Sequence, residues 1–163
     1  MQHTISVIVE NEFGVLSRVA GLFSGRGFNI DSLTVAPTNE EGLSRITIVT
    51  RGDDNILEQI NKQLNKLVDV IKVIDFCDGG AIEREMALIK VTAEDDSRAE
   101  VLRIVDIFRA KIIDVTPKSY TIEATGNPVK IDAILDLLRP LGLKELVRTG
   151  AVAIGRGAKG WKG

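Results

Sequence analysis

The chain has 163 residues and a formal net charge of -2, with a sequence pI of about 5.5. Its hydrophobic fraction is 44% but its aromatic fraction is only 4%, so the length allows one domain or two small ones with aliphatic cores. An acidic chain offers no overall positive field to nucleic acid or anionic lipid. We therefore predict no binding to nucleic acid or to membrane.

Residues able to carry out covalent chemistry are scarce. His3 is the single histidine and Cys77 the single cysteine, so we predict no catalytic triad, no metal site and no enzyme activity. One cysteine cannot form an intrachain disulfide, which is typical of a reducing compartment. The sequence shows no secretory signal and no apolar run of the roughly 18 residues that a membrane span needs. We therefore predict a cytoplasmic protein.

The first half of the chain predicts the element order βαββαβ. Alternating apolar residues indicate strands, and apolar residues at every third or fourth position indicate helices with one buried face. The predicted strands are residues 4–9, 28–36, 43–51 and 70–74. The first helix starts at Gly14 and ends at residues 24–27. The second is capped within residues 52–55 and has the apolar stripe Ile56, Ile60, Leu64 and Leu67.

The second half repeats this order after a glycine-containing break at residues 78–80. The predicted strands are residues 86–92, 112–115, 119–123 and 146–147. A capping box at residues 97–100 predicts the start of one helix, whose buried face comprises Val101, Leu102, Val105 and Phe108. Asn127 and Pro128 predict the start of the other helix, and Pro140 predicts its end.

The pattern predicts an α+β fold with two tandem ferredoxin-like units, each an antiparallel sheet with both helices on one face. The predicted domains are residues 1–78 and 85–163, joined by a linker at residues 79–84. Because each helix has one apolar stripe, the opposite sheet faces need cover, and a second copy is its simplest source. We therefore predict a homodimer. The basic, glycine-rich residues 148–163 are either a mobile terminus or a docking segment anchored by Trp161.

The turn between the first strand and the first helix carries the strongest functional signal. A helix that follows a tight turn at Gly14 exposes its first N–H groups and the positive end of its dipole, which together attract an anion. We predict that the N–H groups of Gly14, Val15 and Leu16 bind the carboxylate of a small amino acid. Gly14 has no β-carbon and would let the ligand approach closely. Asn11 is either the helix cap or an acceptor for the ligand's ammonium group.

Asn29 is the second candidate contact. Asparagine is depleted in strands, yet Asn29 lies between Phe28 and Ile30 at the start of one. It either satisfies the preceding turn or contacts a ligand at the sheet edge, and the pattern favours neither interpretation.

Two strings resemble the amino-terminal ACT domain of the regulatory, or small, subunit of acetohydroxyacid synthase, also called acetolactate synthase. They are residues 11–23, NEFGVLSRVAGLF, and residues 26–33, RGFNIDSL. The resemblance extends over the whole chain and includes the string TGAVA at residues 149–153. It implies that residues 1–78 form an ACT domain, which binds a regulatory amino acid.

The resemblance also implies a regulatory subunit without catalytic activity or a cofactor of its own. Such subunits bind and activate the catalytic large subunit, which carries thiamine diphosphate, Mg²⁺ and FAD, and they confer feedback inhibition by valine. ACT domains pair side by side with the effector at the seam, which implies a homodimer. The second unit and the tail would contact the large subunit. The implied valine site consists of Asn11, Gly14, Val15 and Leu16 of one chain with Asn29 and Ile30 of the other.

Two other functions are compatible with a ferredoxin-like fold. A nucleic-acid-binding regulator of this topology uses aromatic residues on its sheet and a basic surface, whereas Tyr120 is the one aromatic residue clearly inside a strand of the second unit. A small acyl-phosphate hydrolase-like enzyme would need an arginine in the first turn to hold phosphate, and residues 14–16 contain none. The sequence favours the regulatory subunit over both.

Overall fold

The computed structural model describes residues 2–76 and 80–157. Residues up to Ile82, together with the described residues from Ala151 onward, form one unit, and residues 83–150 form the other. The expected linker at residues 79–84 spans this division, but from Ala81 onward its residues belong to a strand. Residues 151–157, which we expected in the second domain, group with the first unit. Cys77 and the first two residues of the predicted break lie outside the described residues.

The first unit has the predicted order βαββαβ. The strands form an antiparallel sheet in which the first strand lies beside the third and the fourth, so that the second and fourth strands are its edges. Both helices pack on one face, where Ile5, Val7 and Ile48 are fully buried. The elements are β1 (Gln2–Glu10), α1 (Val15–Ser24), β2 (Asn29–Pro37), β3 (Leu43–Arg51), α2 (Asp54–Asn65) and β4 (Val70–Asp75).

The second unit repeats this architecture, which confirms the two ferredoxin-like units. Its elements are β5 (Ala81–Thr92), α3 (Asp96–Ile107), β6 (Lys111–Val115), β7 (Ser119–Gly126), α4 (Pro128–Gly142) and β8 (Leu143–Arg148). The antiparallel strand order is β6-β7-β5-β8. A ninth strand, β9 (Val152–Gly155), pairs with β5, whose first two residues belong to the first unit.

The face of the first sheet that points away from its helices is buried within the chain. Ser6 and Ile8 are 0% exposed and Thr47 is 3% exposed. Arg45 lies on the same face and donates to Ser6 Oγ from Nε at 3.2 Å and from Nη2 at 3.1 Å. Its Nη2 also donates to the carbonyl of Ala153 at 3.0 Å. The argument from an uncovered sheet face to a homodimer therefore does not apply to the first unit, because this face is buried within the chain.

The corresponding face of the second sheet is open. Met86 and Leu88 of β5 are 38% and 39% exposed, and Val147 of β8, the neighbour of Leu88, is 55% exposed. The ion pair between Lys90 Nζ and Glu145 Oε2, 3.4 Å apart, lies beside them on the same face. The two sheets share a topology and differ in what lies on this face.

Two predicted positions on the helix stripes are wrong. In α2 the buried residues include Leu57 and Ile60, whereas Ile56 is 38% exposed. In α3 Leu102 is 43% exposed, while its neighbour Val101 is fully buried. Each miss has the same cause: one step along a helix turns a side chain by about 100°, so of two adjacent apolar residues the one further from the centre of the buried face is left exposed.

The predicted capping box is also wrong. Asp95 is the N-cap of α3, and Ser97 already lies inside the first turn. Ser97 Oγ accepts a hydrogen bond from the Glu94 N–H at 3.1 Å and donates to the Glu94 carbonyl at 2.9 Å. Glu100 pairs with Arg103 instead of reaching back, with Nη1 and Oε2 2.7 Å apart. The hydroxyl therefore closes the preceding turn, and the helix starts without a side-chain cap.

The end of the second unit differs from its prediction as well. Pro140 does not stop α4, which continues to Gly142, because a proline in the last turn removes a single N–H close to the helix terminus. β8 starts directly afterwards, earlier than residues 146–147, and β9 lies in the segment predicted as a tail. Trp161 lies outside the described residues. In residues 2–76 and 80–157 the structure contains no helix of the length and apolarity that a membrane crossing requires.

Candidate functional site

Gly14 sets the geometry of the turn between β1 and α1. It is the N-cap of α1 with φ 82° and ψ -2°, a left-handed conformation that side chains other than glycine adopt at a cost. Two backbone hydrogen bonds hold the preceding residues: the Glu10 N–H donates to the Asp69 carbonyl and the Asn11 N–H to the Gly42 carbonyl, both at 2.8 Å. The turn is therefore anchored on both sides, while the start of α1 points outward.

The first N–H groups of α1 are the groups that the sequence analysis predicts to bind a carboxylate. The Val15 N–H makes a long hydrogen bond of 3.4 Å to the Glu12 carbonyl. The N–H groups of Leu16 and Ser17 have no acceptor among the described residues, as expected for the first turn of a helix. These donors and the helix dipole favour a carboxylate at this point.

Arg18 adds a positive charge that the sequence analysis missed. Its Nη1 lies 3.2 Å from the position that a β-carbon on Gly14 would occupy, and its Nη2 pairs with Asp69. The signal was available, because a residue four positions after Gly14 lies one helical turn further on the same face. A carboxylate bound at the helix start would therefore also lie near a guanidinium.

The cap interpretation of Asn11 is wrong. The N-cap is Gly14, three residues later, and no side chain caps α1. Asn11 is exposed on the turn.

Apolar side chains at the start of α1 and on β2 differ in exposure. Val15 is buried at 4% exposure and anchors the helix, whereas Leu16 is 43% exposed and Phe13 fully exposed. On the edge strand β2, Val35 is 44% exposed. Phe13 was not singled out from the sequence, since an aromatic beside a helix start is more often a core residue. Exposed apolar side chains of this kind are suited to contact an aliphatic ligand or a second chain.

Asn29 and Ile30 lie at the start of β2. Asn29 Nδ2 donates to Asp31 Oδ1 at 2.9 Å, and Asp31 Oδ2 pairs with Arg51 Nε at 2.7 Å. The pairing of β2 with β3 shifts between Ile30 and Ser32, which leaves Asp31 as an extra residue. This bulge, together with Arg51, fixes the exposed amide of Asn29, while Ile30 packs partly into the core.

Within one chain the two halves of the candidate site are far apart. Asn29 pairs with Arg51 at one end of β3, and Pro37 pairs with Ser44 at the other. The turn that carries Gly14 lies at the second end, because Glu10 pairs with Leu43. β2 has nine residues, about 30 Å of strand. One small amino acid therefore cannot touch both halves in a single chain.

Two further arginines have pKa values shifted by their surroundings. Burial lowers the pKa of Arg45. Burial alone would also lower the pKa of Arg148, but its hydrogen bonds to Glu85 and Asp132 raise it overall. In the part of the chain that the structure describes, no group of three His, Cys, Asp or Glu residues is arranged to hold a metal ion.

Comparison with known protein families assigns both units. The profile described as "AHAS small subunit-like ACT domain" matches residues 5–72. The profile described as "Small subunit of acetolactate synthase" matches residues 84–157. Together the two matches leave few residues of the chain unassigned.

Individual relatives match over almost the full chain. A probable acetolactate synthase small subunit of Archaeoglobus fulgidus is 54% identical and covers 98% of this chain and 99% of its own. The acetolactate synthase small subunit of Haemophilus influenzae is 54% identical, with 98% of each chain covered. The crystal structure of the acetolactate synthase small subunit from Thermotoga maritima superimposes with a TM-score of 0.87 at 45% identity, covering 96% of this chain and 98% of that one.

Proposed function

The chain belongs to the family of acetolactate synthase small subunits, and from this premise we propose that it activates the catalytic large subunit and confers feedback inhibition by valine. As a member of this family it is the regulatory subunit, and catalysis lies in its large-subunit partner. Thiamine diphosphate, Mg²⁺ and FAD are expected in that partner, with no cofactor in this chain. We also expect both subunits to work in the cytoplasm, where a lone cysteine stays reduced.

The observation that carries the proposal is the open helix start beside Gly14. It presents unpaired N–H donors and lies beside Arg18, both of which favour a carboxylate. The carbonyl oxygen of the exposed Asn11 amide would accept from the ammonium group. Leu16 would pack against the aliphatic side chain. A zwitterion with a short branched side chain satisfies all three kinds of contact.

A homodimer with paired β2 edges would complete the site. If two copies place their β2 strands antiparallel around a two-fold axis, the start of one strand lies beside the end of the other. Asn29 and Ile30 of one chain would then approach the turn at Gly14 of its partner. The separation of the two half-sites within one chain, and the exposed Val35 on this edge, support such a pairing.

The energies suit a metabolite sensor. A helix terminus contributes about 0.3–1 kcal/mol to binding an anion, and burying an isopropyl group adds roughly 1.5–3 kcal/mol. A ligand that contacts both chains stabilises one arrangement of the dimer. By reciprocity, an arrangement preferred by the large subunit must in turn change the affinity for valine.

Calorimetric titration tests the proposal. The chain, alone and with the large subunit, would be titrated with valine, leucine, isoleucine and an unrelated amino acid. We expect saturable valine binding in at least the complex. Gly14→Asp puts a carboxylate where the ligand's should bind, so it should weaken valine binding by at least about tenfold.

Gly14→Asn is the matched control. Asparagine has the size of aspartate and tolerates a left-handed backbone, but it carries no charge. It should lose clearly less affinity than Gly14→Asp. Equal losses would mean that the turn acts through shape alone, and a complex that binds no branched amino acid would refute the proposed regulation.

A further inference from the structure

The segments before and after the second unit are bonded to each other within the first unit. The Arg156 N–H donates to the Gly80 carbonyl at 2.9 Å, and Ala151 and Ala153 are 2% and 7% exposed. We call residues 80–82 and 151–156 the neck. The chain enters the second unit from one side of the neck and returns to the other.

Arg45 ties the neck to the first sheet. Its guanidinium spans from the fully buried Ser6 of β1 to the carbonyl of Ala153 in β9. Among the residues that the structure describes, no carboxylate pairs with Arg45. Its interactions on this face are therefore hydrogen bonds to neutral oxygens, which exchange with water more readily than a buried ion pair does.

The same strand leads from Arg45 to the proposed effector turn. The Asn11 N–H donates to the Gly42 carbonyl, and β3 begins at the next residue, where Leu43 pairs with Glu10. Arg45 is two residues further along β3. The contact between the turn and Gly42 therefore lies three residues from Arg45 along the same backbone.

We propose that Arg45 holds the neck on the first sheet and transmits effector binding to the second unit. The proposal rests on the proposed function, because it concerns how valine bound at the turn reaches the rest of the chain. A carboxylate on the α1 N–H groups displaces the turn and the start of β3, which changes the hold of Arg45 on the Ala153 carbonyl. Both ends of the second unit leave from the neck, so its attachment is altered on both sides.

Arg45→Met tests this, with Lys72→Met as the matched control. Methionine keeps most of the apolar length of arginine and removes every donor. Arg45 and Lys72 both pair with Ile8, one on each side, so each substitution removes one positive charge from the same row of the same face. Lys72 is exposed on β4. The Ala153 carbonyl accepts from Arg45 and not from Lys72.

Amide hydrogen exchange of the full chain measures how strongly Arg45 stabilises the neck. In Arg45→Met, exchange at residues 152–156 should be about tenfold faster, the effect of losing a hydrogen bond from a charged donor. Lys72→Met should exchange as the wild type does. Unchanged exchange in Arg45→Met would overturn the role of Arg45 at the neck.

Valine titration and inhibition of the reconstituted holoenzyme measure transmission. Arg45→Met should still bind valine saturably, with an affinity shifted by the coupling that is lost, yet valine should inhibit its holoenzyme much less. If Arg45→Met exchanges faster but valine inhibits its holoenzyme as strongly as the wild type, transmission through Arg45 is overturned and the proposed function stands. A wild-type holoenzyme that valine neither binds nor inhibits would overturn the proposed function and transmission together, and the exchange result would still decide the role at the neck.

Discussion

The turns that precede the first helix of each unit occupy the same place in the same topology, and they are built for different purposes. Gly14 and Asp95 are the N-caps, and both have positive φ, 82° and 46°. Neither receives a side-chain cap. A positive φ and the lack of a side-chain cap therefore do not distinguish the turns, although ψ is -2° at Gly14 and -112° at Asp95.

The side chains do distinguish them. In the second unit, Arg98 Nη1 donates to the carbonyls of Ala93 at 2.9 Å, Thr116 at 3.2 Å and Pro117 at 2.9 Å, and its guanidinium lies 4.6 Å from the centre of the Tyr120 ring. This turn also carries the acidic residues Glu94, Asp95 and Asp96, which repel an anion. The first turn has Gly14 and Arg18 at the corresponding helix start, with Glu12 in the turn and Asp69 paired to Arg18.

The difference teaches that a positive φ before a helix does not by itself indicate a binding site. The turn in the second unit uses its polar groups internally and stabilises the fold. The turn in the first unit leaves its helix N–H groups available, at the expense of internal bonds. The following predictions test whether stability and binding are divided between the turns in this way.

The largest effect is expected at Arg98. Arg98→Ala removes three hydrogen bonds and a ring contact, and should lower the free energy of unfolding by about 2–3 kcal/mol, measured by urea denaturation. Arg103→Ala, which breaks an exposed helix pair, should cost less than about 0.5 kcal/mol. Valine binding should be unaffected by either. A loss of binding in Arg98→Ala without a loss of stability would contradict the division.

The next effect concerns two asparagines, one expected to act in valine binding and the other in stability. Asn11→Ala should weaken valine binding by about tenfold, the loss of one hydrogen bond to an ammonium group, with little change in stability. Asn127 accepts from the Lys130 N–H at 2.8 Å and does cap α4. Asn127→Ala should therefore destabilise the chain by about 1 kcal/mol and leave binding unchanged. Calorimetry should show weaker valine binding only in Asn11→Ala, and urea denaturation should show lower stability only in Asn127→Ala.

The smallest effect is expected at Asp95. Asp95→Gly relieves the positive φ of a residue with a side chain and should raise the free energy of unfolding by about 0.5–1 kcal/mol. It gives the second unit a glycine N-cap like that of the first. It should nevertheless create no amino-acid binding, because Arg98 still occupies the turn. Binding of a second valine per chain in this variant would show that glycine alone makes the site.

The order and type of the elements follow from local sequence. Alternation and helical spacing predict both βαββαβ units because the helices and most strands bury one face, although β1 and β3 are buried on both. The same rule misassigns Ile56, since a helix with adjacent apolar residues fits two neighbouring stripes equally well. Packing against the sheet then selects Leu57.

The misses in the site and the termini have non-local causes. β9 is four residues long and becomes a strand through pairing with residues about 70 positions earlier, which no local pattern contains. The hydrogen bond from Arg45 to the Ala153 carbonyl on the first sheet likewise joins residues that are far apart in sequence. The turn at Gly14 was predictable because its donors belong to consecutive residues. The role of Phe13, by contrast, depends on exposure, which only the fold reveals.

The return of the chain to the first unit changes how the sensor module should be isolated. The second unit is an insertion between Ile82 and Ala151 in sequence terms, and the hydrogen bond from Arg156 to Gly80 brings the flanking segments together. A shortened protein that stops at residue 78 would lack β9 and expose Ser6 and Ile8. A minimal sensor would instead delete the second unit and join residues 82 and 151 by a short loop, as tolerated where the ends of an inserted domain lie close.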